Sequence, residues 1–213
     1  MTRIRTFFLA TALCCLTIPT FALNGEVVAT TGKVEFQNKQ GVWKALKQGD
    51  TVLAGTMIST GFKSEATVKL GESVLTIRPL TRMTLTQLVE KENTVDTELY
   101  LEVGNVKAEV NSLNTKKNSF KVRSPVATAS VRGTVFEMGE ALVILRGSVE
   151  FSTPVGQKRT GTAGQQLNIV GNLVAPPSAA VQERMGTIAL NSTPSTEIRS
   201  PIIATPTFSP SGL

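Results

Sequence analysis

The chain has 213 residues, 41% apolar, 18% charged and 5% aromatic, which excludes a disordered polymer and a polytopic membrane protein and leaves room for one ordinary domain with extensions. Its 22 basic and 16 acidic residues give a formal net charge of +6, but the charges are scattered. With one Trp and one Tyr, the dense basic face and stacking platforms that nucleic-acid binding needs are missing.

Residues 1–22 read as a secretory signal peptide. Arg3 and Arg5 form a basic head, Phe7 to Ile18 an apolar run too short to span a bilayer, and Pro19 breaks it before the small residues around Thr20-Phe21-Ala22. No later segment is long and apolar enough to cross a membrane as a helix, so the mature chain is expected to have no transmembrane segment and to work in the periplasm or outside the cell. Both cysteines, Cys14 and Cys15, lie in this leader, so the mature chain is expected to hold its fold without a disulfide.

From residue 23 to Val174 one texture prevails. Strands are predicted at Gly32–Phe36, Glu65–Leu70, Ser73–Ile77, Arg82–Thr86, Glu98–Val103 and Phe120–Val122, each alternating apolar and polar residues and rich in β-branched types. Glycines at 49, 55, 61 and 71 punctuate them and read as corners. Lys91-Glu92-Asn93 reads as a hairpin tip, Asn111 to Asn118 as an exposed loop, and Lys158-Arg159 as a solvated hairpin tip. No window carries a convincing helical stripe.

A short pattern recurs at Gly32-Lys33-Val34, Gly104-Asn105-Val106 and Gly147-Ser148-Val149, each opening an alternating run. Recurrence of this kind points to stacked units around a shared interior. The spacing is irregular, so the expected fold class is all-β, an irregular β-solenoid-like or twisted coil of short strands.

After Val174 the texture changes. Pro176-Pro177 stops the strands, a short helix is expected at 178–185, and residues 175–213 as a whole read as a flexible tail rich in Pro, Ser and Thr. The expected organisation is therefore signal peptide 1–22, β domain 23–174 and tail 175–213.

The chemistry is sparse. There is no histidine, and outside the leader no cysteine, which removes the usual zinc ligands and the Ser-His and Cys-His machinery of covalent catalysis. The only aspartates are Asp50 and Asp96, too few for calcium loops. No cofactor, metal or enzymatic activity is expected. Carboxylate pairs for glycoside chemistry could come from Glu137 with Glu140, or from Glu35 with Glu150 if the recurring units stack, but glutamates alternating with valines belong on solvent faces. Trp43, near a turn, reads as a cover for a core edge.

The stretch Ser124 to Phe136 is the most informative. Ala127, Ala129 and Val131 are expected to point inward, their small size letting two layers approach. Arg132 and Gly133 then interrupt the strand. Two readings stand. In one the pair is a structural clamp, Gly133 turning the chain and Arg132 tying unpaired carbonyls. In the other Arg132 faces a groove and grips a carboxylate of a ligand or partner.

The run Leu46 to Gly61, then Ser64–Leu70 and Gly71–Ile77, then Ser124–Phe136, Ala141–Glu150 and Ala163–Gln166, resembles the FecR domain in the same order. That family takes its name from a membrane-spanning regulator of iron-citrate uptake, which this chain does not match in plan. The resemblance implies a solenoid-like β domain that works outside the cytoplasm by binding. The expected function is a non-enzymatic exported protein, monomeric or weakly self-associating, that binds another envelope protein or a ligand, with a part in envelope signalling. The alternative is a peptidoglycan-binding or glycan-processing envelope protein.

Overall fold

The computed structural model describes residues 23–37, 41–91, 94–111 and 117–180. These form strands throughout, with no helix among the described residues. In chain order the strands are β1 (Gly25–Thr31), β2 (Val34–Gln37), β3 (Trp43–Ala45), β4 (Thr51–Val52), β5 (Thr56–Thr60), β6 (Glu65–Leu70) and β7 (Ser73–Ile77). Then come β8 (Arg82–Lys91), β9 (Thr94–Val103), β10 (Val106–Val110), β11 (Lys117–Arg123), β12 (Thr128–Val131) and β13 (Thr134–Met138). The last are β14 (Ala141–Arg146), β15 (Ser148–Ser152), β16 (Lys158–Thr162), β17 (Gln165–Val170), β18 (Leu173–Val174) and β19 (Ser178–Ala179).

They assemble into two open sheets. The 10-stranded sheet runs β18-β17-β14-β13-β10-β7-β6-β1-β4, with β19 also on β17, and the 9-stranded sheet runs β16-β15-β12-β11-β9-β8-β5-β2-β3. The chain visits one sheet for one or a few strands, crosses to the other, and advances along both. Pairing is antiparallel except between β9 and β11.

Alternation explains why these segments are strands. In β6 and β7 every second residue is buried, so Ala66, Val68, Leu70, Leu75 and Ile77 enter the core while Lys69 and Thr76 face out. The same rule puts Phe120 of the 9-stranded sheet and Phe136 of the 10-stranded sheet in one interior. Their rings meet edge to face at 6.4 Å, both fully buried. Ala127, Ala129 and Val131 point inward as expected.

The recurring Gly-x-Val pattern marks crossings between the sheets. Gly32, Gly104 and Gly147 sit between β1 and β2, β9 and β10, and β14 and β15, all with left-handed backbone, and the valine that follows each is buried. Each glycine is pressed against a neighbouring crossing that carries a buried hydroxyl. Lys33 N–H donates to Ser64 Oγ at 2.8 Å, Asn105 N–H to Thr81 Oγ1 at 3.0 Å, and Thr134 Oγ1 donates to the Ser148 carbonyl at 2.9 Å. Corner stacks on corner, and a hydroxyl satisfies the backbone where the ladder stops.

Thr81→Val should therefore destabilise the domain by about 1–3 kcal/mol, because it leaves the Asn105 N–H without its partner. Thr81→Ser, which keeps the hydroxyl, should lose less. Urea unfolding of the two variants checks this.

Several sequence expectations need correction. Ser178 and Ala179 pair with Gln166 and Gln165 as β19, so no helix opens at Ser178, and the rest of 178–185 lies outside the described residues. The sheets thus continue past Val174 to Ala179. Asn118 is not in an exposed loop: it lies in β11, buried, its amide donating to Ser73 Oγ at 3.1 Å and to the Asn111 carbonyl at 3.1 Å, while 112–116 fall outside the described residues. Lys158 and Arg159 lie in edge strand β16, and the turn is at Thr153–Gln157. Trp43 stands in edge strand β3, 40% exposed, and does not cover the core. Lys91 pairs with Thr94, and the rest of the expected hairpin tip, residues 92–93, lies outside the described residues.

Candidate functional site

Arg132 and Gly133 form the crossing from β12 to β13. Because Ala129 and Val131 face the core, Ser130 and Arg132 face outward from the 9-stranded sheet. The clamp is not formed. Among the described residues the Arg132 side chain makes no hydrogen bond or ion pair, and Thr134 satisfies the stacked corner instead. Nor is Gly133 the residue with left-handed backbone. That is Gly147 on the facing crossing (φ +86°), where a Cβ would come within 2.8 Å of the Gly133 carbonyl oxygen.

What Arg132 does face is a groove of about 440 Å³ across the outer surface of β11, β12, β15 and β16. Strand register lines up one row across it, Lys121 opposite Ser130, Ser130 opposite Glu150, Glu150 opposite Thr160. Ser119 and Ser148 add further hydroxyls. A smaller hollow of about 120 Å³ shares Ser119 and Lys121 and continues over β9 and β8 to Gln87.

The charges around it are unevenly paired. Glu150 is held by Lys158 at 3.1 Å, Glu98 by Arg123 at 3.2 Å, and Asp96 by Lys91 at 2.8 Å. Arg132 and Lys121 have no acidic partner among the described residues. The groove thus offers one guanidinium, one ammonium and small hydroxyls, a set suited to a carboxylate or phosphate oxygen.

The acid pairs do not assemble. Glu137 is engaged by Arg78 at 3.6 Å, which also binds Glu65 at 3.1 Å. Glu140 lies exposed in the β13–β14 turn. Glu35 on β2 and Glu150 on β15 are six strand spacings apart in one sheet, about 29 Å. Among the described residues no group of three or more His, Cys, Asp or Glu could hold a metal, and no helix is long and apolar enough to cross a membrane.

Sequence reasoning missed Lys121. Its signal was the alternation of Phe120-Lys121-Val122, which turns the lysine outward. What the sequence lacked was the register that sets it beside Ser130, one strand from Arg132.

This fold and site define a class: an open two-sheet β domain with a polar groove across the outer face of its 9-stranded sheet. The FecR protein family model matches residues 56–159, and the chain carries a FecR domain. Two crystal structures of a proposed anti-sigma factor from Parabacteroides distasonis are similar, at 20% and 19% identity with TM-scores of 0.48 and 0.47. Each match covers 61% of this chain and 62% of that one, so this chain spans about three fifths of that protein's length. No curated protein sequence matches.

Proposed function

We propose that this is an exported, non-enzymatic FecR-domain protein that binds another component of the cell envelope and serves in envelope signalling. We read the fold as an irregular solenoid-like coil, because from β5 onward the strand order rises along both sheets, only β3 and β4 lying outside the strands that precede them. The binding reading is carried by one observation: Arg132 is outward, unpaired, and placed with Lys121 over a hydroxyl-lined groove. A guanidinium held there costs little to leave solvated and gains two parallel bonds when a carboxylate arrives.

The test is Arg132→Ala. Its melting temperature should stay near that of the parent, since an exposed residue without partners contributes within about 0.5 kcal/mol. Its binding to an envelope fraction should weaken about tenfold or more, and the same for Lys121→Ala, since each removes a charge-assisted bond of about 1.5–3 kcal/mol. Unchanged binding by Arg132→Ala would sink the groove as the site.

The hydroxyl floor favours one alternative, a cell-wall polymer in place of a protein. Sedimentation with purified peptidoglycan supports that polymer. Capture of a defined envelope protein, lost in Arg132→Ala, supports the first reading.

A further inference from the structure

Stacking of the crossings does something beyond joining the sheets. Four large apolar residues stand in water at one edge of the sandwich: Phe62 (73% exposed), Leu80 (60%), Val103 (60%) and Val126 (56%). They come from four separate segments. Hydrogen bonds between crossings set their order. The Leu80 N–H donates to the Gly61 carbonyl at 3.2 Å, beside Phe62, and the Arg78 N–H to the Asn105 carbonyl at 3.0 Å, beside Val103. Val103 and Val126 then line one mainly apolar hollow of about 260 Å³ with Glu102 and Glu140. The result is a row Phe62, Leu80, Val103, Val126.

Leu80 carries a second cost. Its φ is +56°, left-handed backbone that a bulky side chain seldom takes, and Lys63, which follows Phe62 in the chain, has φ +53°. Glycine or asparagine would relieve both the strain and the exposed apolar surface. Strain retained together with exposure is a mark of a working surface.

Charge says what covers the row. Lys63 follows Phe62 at one end of the row and Glu140 lies beside Val126 at the other, and neither has a partner of opposite charge among the described residues. A second copy turned about a two-fold axis between Leu80 and Val103 brings the Lys63 end of one row to the Glu140 end of the other, opposite charges together. The row is self-complementary, as a two-fold interface must be.

We propose that this edge is the interface of a homodimer, two copies packing Phe62, Leu80, Val103 and Val126 antiparallel. Four side chains a copy make a small contact, so the dimer is expected to be weak, with a dissociation constant on the order of micromolar.

Sedimentation velocity of the purified protein over a concentration series tests it. The parent should move from monomer to dimer. Leu80→Asn should weaken the dimer about tenfold or more while its melting temperature holds or rises, which separates interface loss from misfolding. Glu140→Lys should weaken it by placing like charges together, and Lys63→Glu combined with Glu140→Lys should restore it. A parent that stays monomeric to about 1 mM overturns the proposal and hands the row to a different protein. So does a Leu80→Asn dimer as tight as the parent's, or a double charge reversal that fails to recover.

Discussion

Gly104→Ala should cost about 2–5 kcal/mol of folding stability, a large share of the ~5–15 kcal/mol that holds a domain together. At φ +97° a Cβ placed on Gly104 would lie 2.5 Å from Thr81 Cα and 2.7 Å from the Leu80 carbonyl oxygen. Both are backbone atoms of the stacked crossing, so no rotamer change relieves the contact. The left-handed conformation adds ~1–2 kcal/mol for any L side chain, and forced separation of packed elements adds ~1–3 kcal/mol. Gly164→Ala is the control. It shares the left-handed backbone, at φ +78°, but nothing lies within 4 Å of the added atom, so only the conformational part, ~1–2 kcal/mol, should be lost. Chemical denaturation of the pair decides. Equal losses would mean that close stacking of crossings carries no weight.

Phe136→Ala should cost about 3–5 kcal/mol, because the ring is fully buried and its removal leaves a cavity between two sheets that cannot easily collapse. The more telling measurement is a double-mutant cycle with Phe120→Ala. The two rings belong to different sheets and meet edge to face at 6.4 Å, so about 0.5–1.5 kcal/mol of the loss should be shared rather than additive. Strict additivity would show that the two rings do not couple and that this contact has no special role in joining the sheets.

Much of the fold was legible because alternation is a local signal. Glu65–Leu70 and Ser73–Ile77 are strands with the predicted bounds, and the inward set Ala127, Ala129, Val131 followed from parity. Alternation says which face a residue takes, though, and not which sheet. Gly-x-Val was visible as a recurrence at 32, 104 and 147, but its meaning depends on Ser64, Thr81 and Thr134, which are distant in the chain. The sequence of Ser124–Phe136 showed an odd arginine and glycine. It could not show that Thr134 already satisfies that corner, and this is what releases Arg132 to the groove. Leu80 stands between Pro79 and Thr81 with no alternating run to assign it a face, and only the stacking of crossings places it in a row with Phe62 and Val103.

The advance of the chain along both sheets from β5 onward has a consequence for how the molecule comes into being. Apart from β3 and β4, which lie outside β2 and β1, each strand is laid on the side away from the amino-terminal edge, β6 on β1, β10 on β7, β13 on β10, β17 on β14. A polypeptide delivered amino end first can therefore add each strand to a growing front without waiting for its carboxyl end. The two ends of the product are not equivalent: trimming at the carboxyl side removes the last arrivals and bares a raw edge, whereas trimming at the amino side takes away the template on which everything later was laid down.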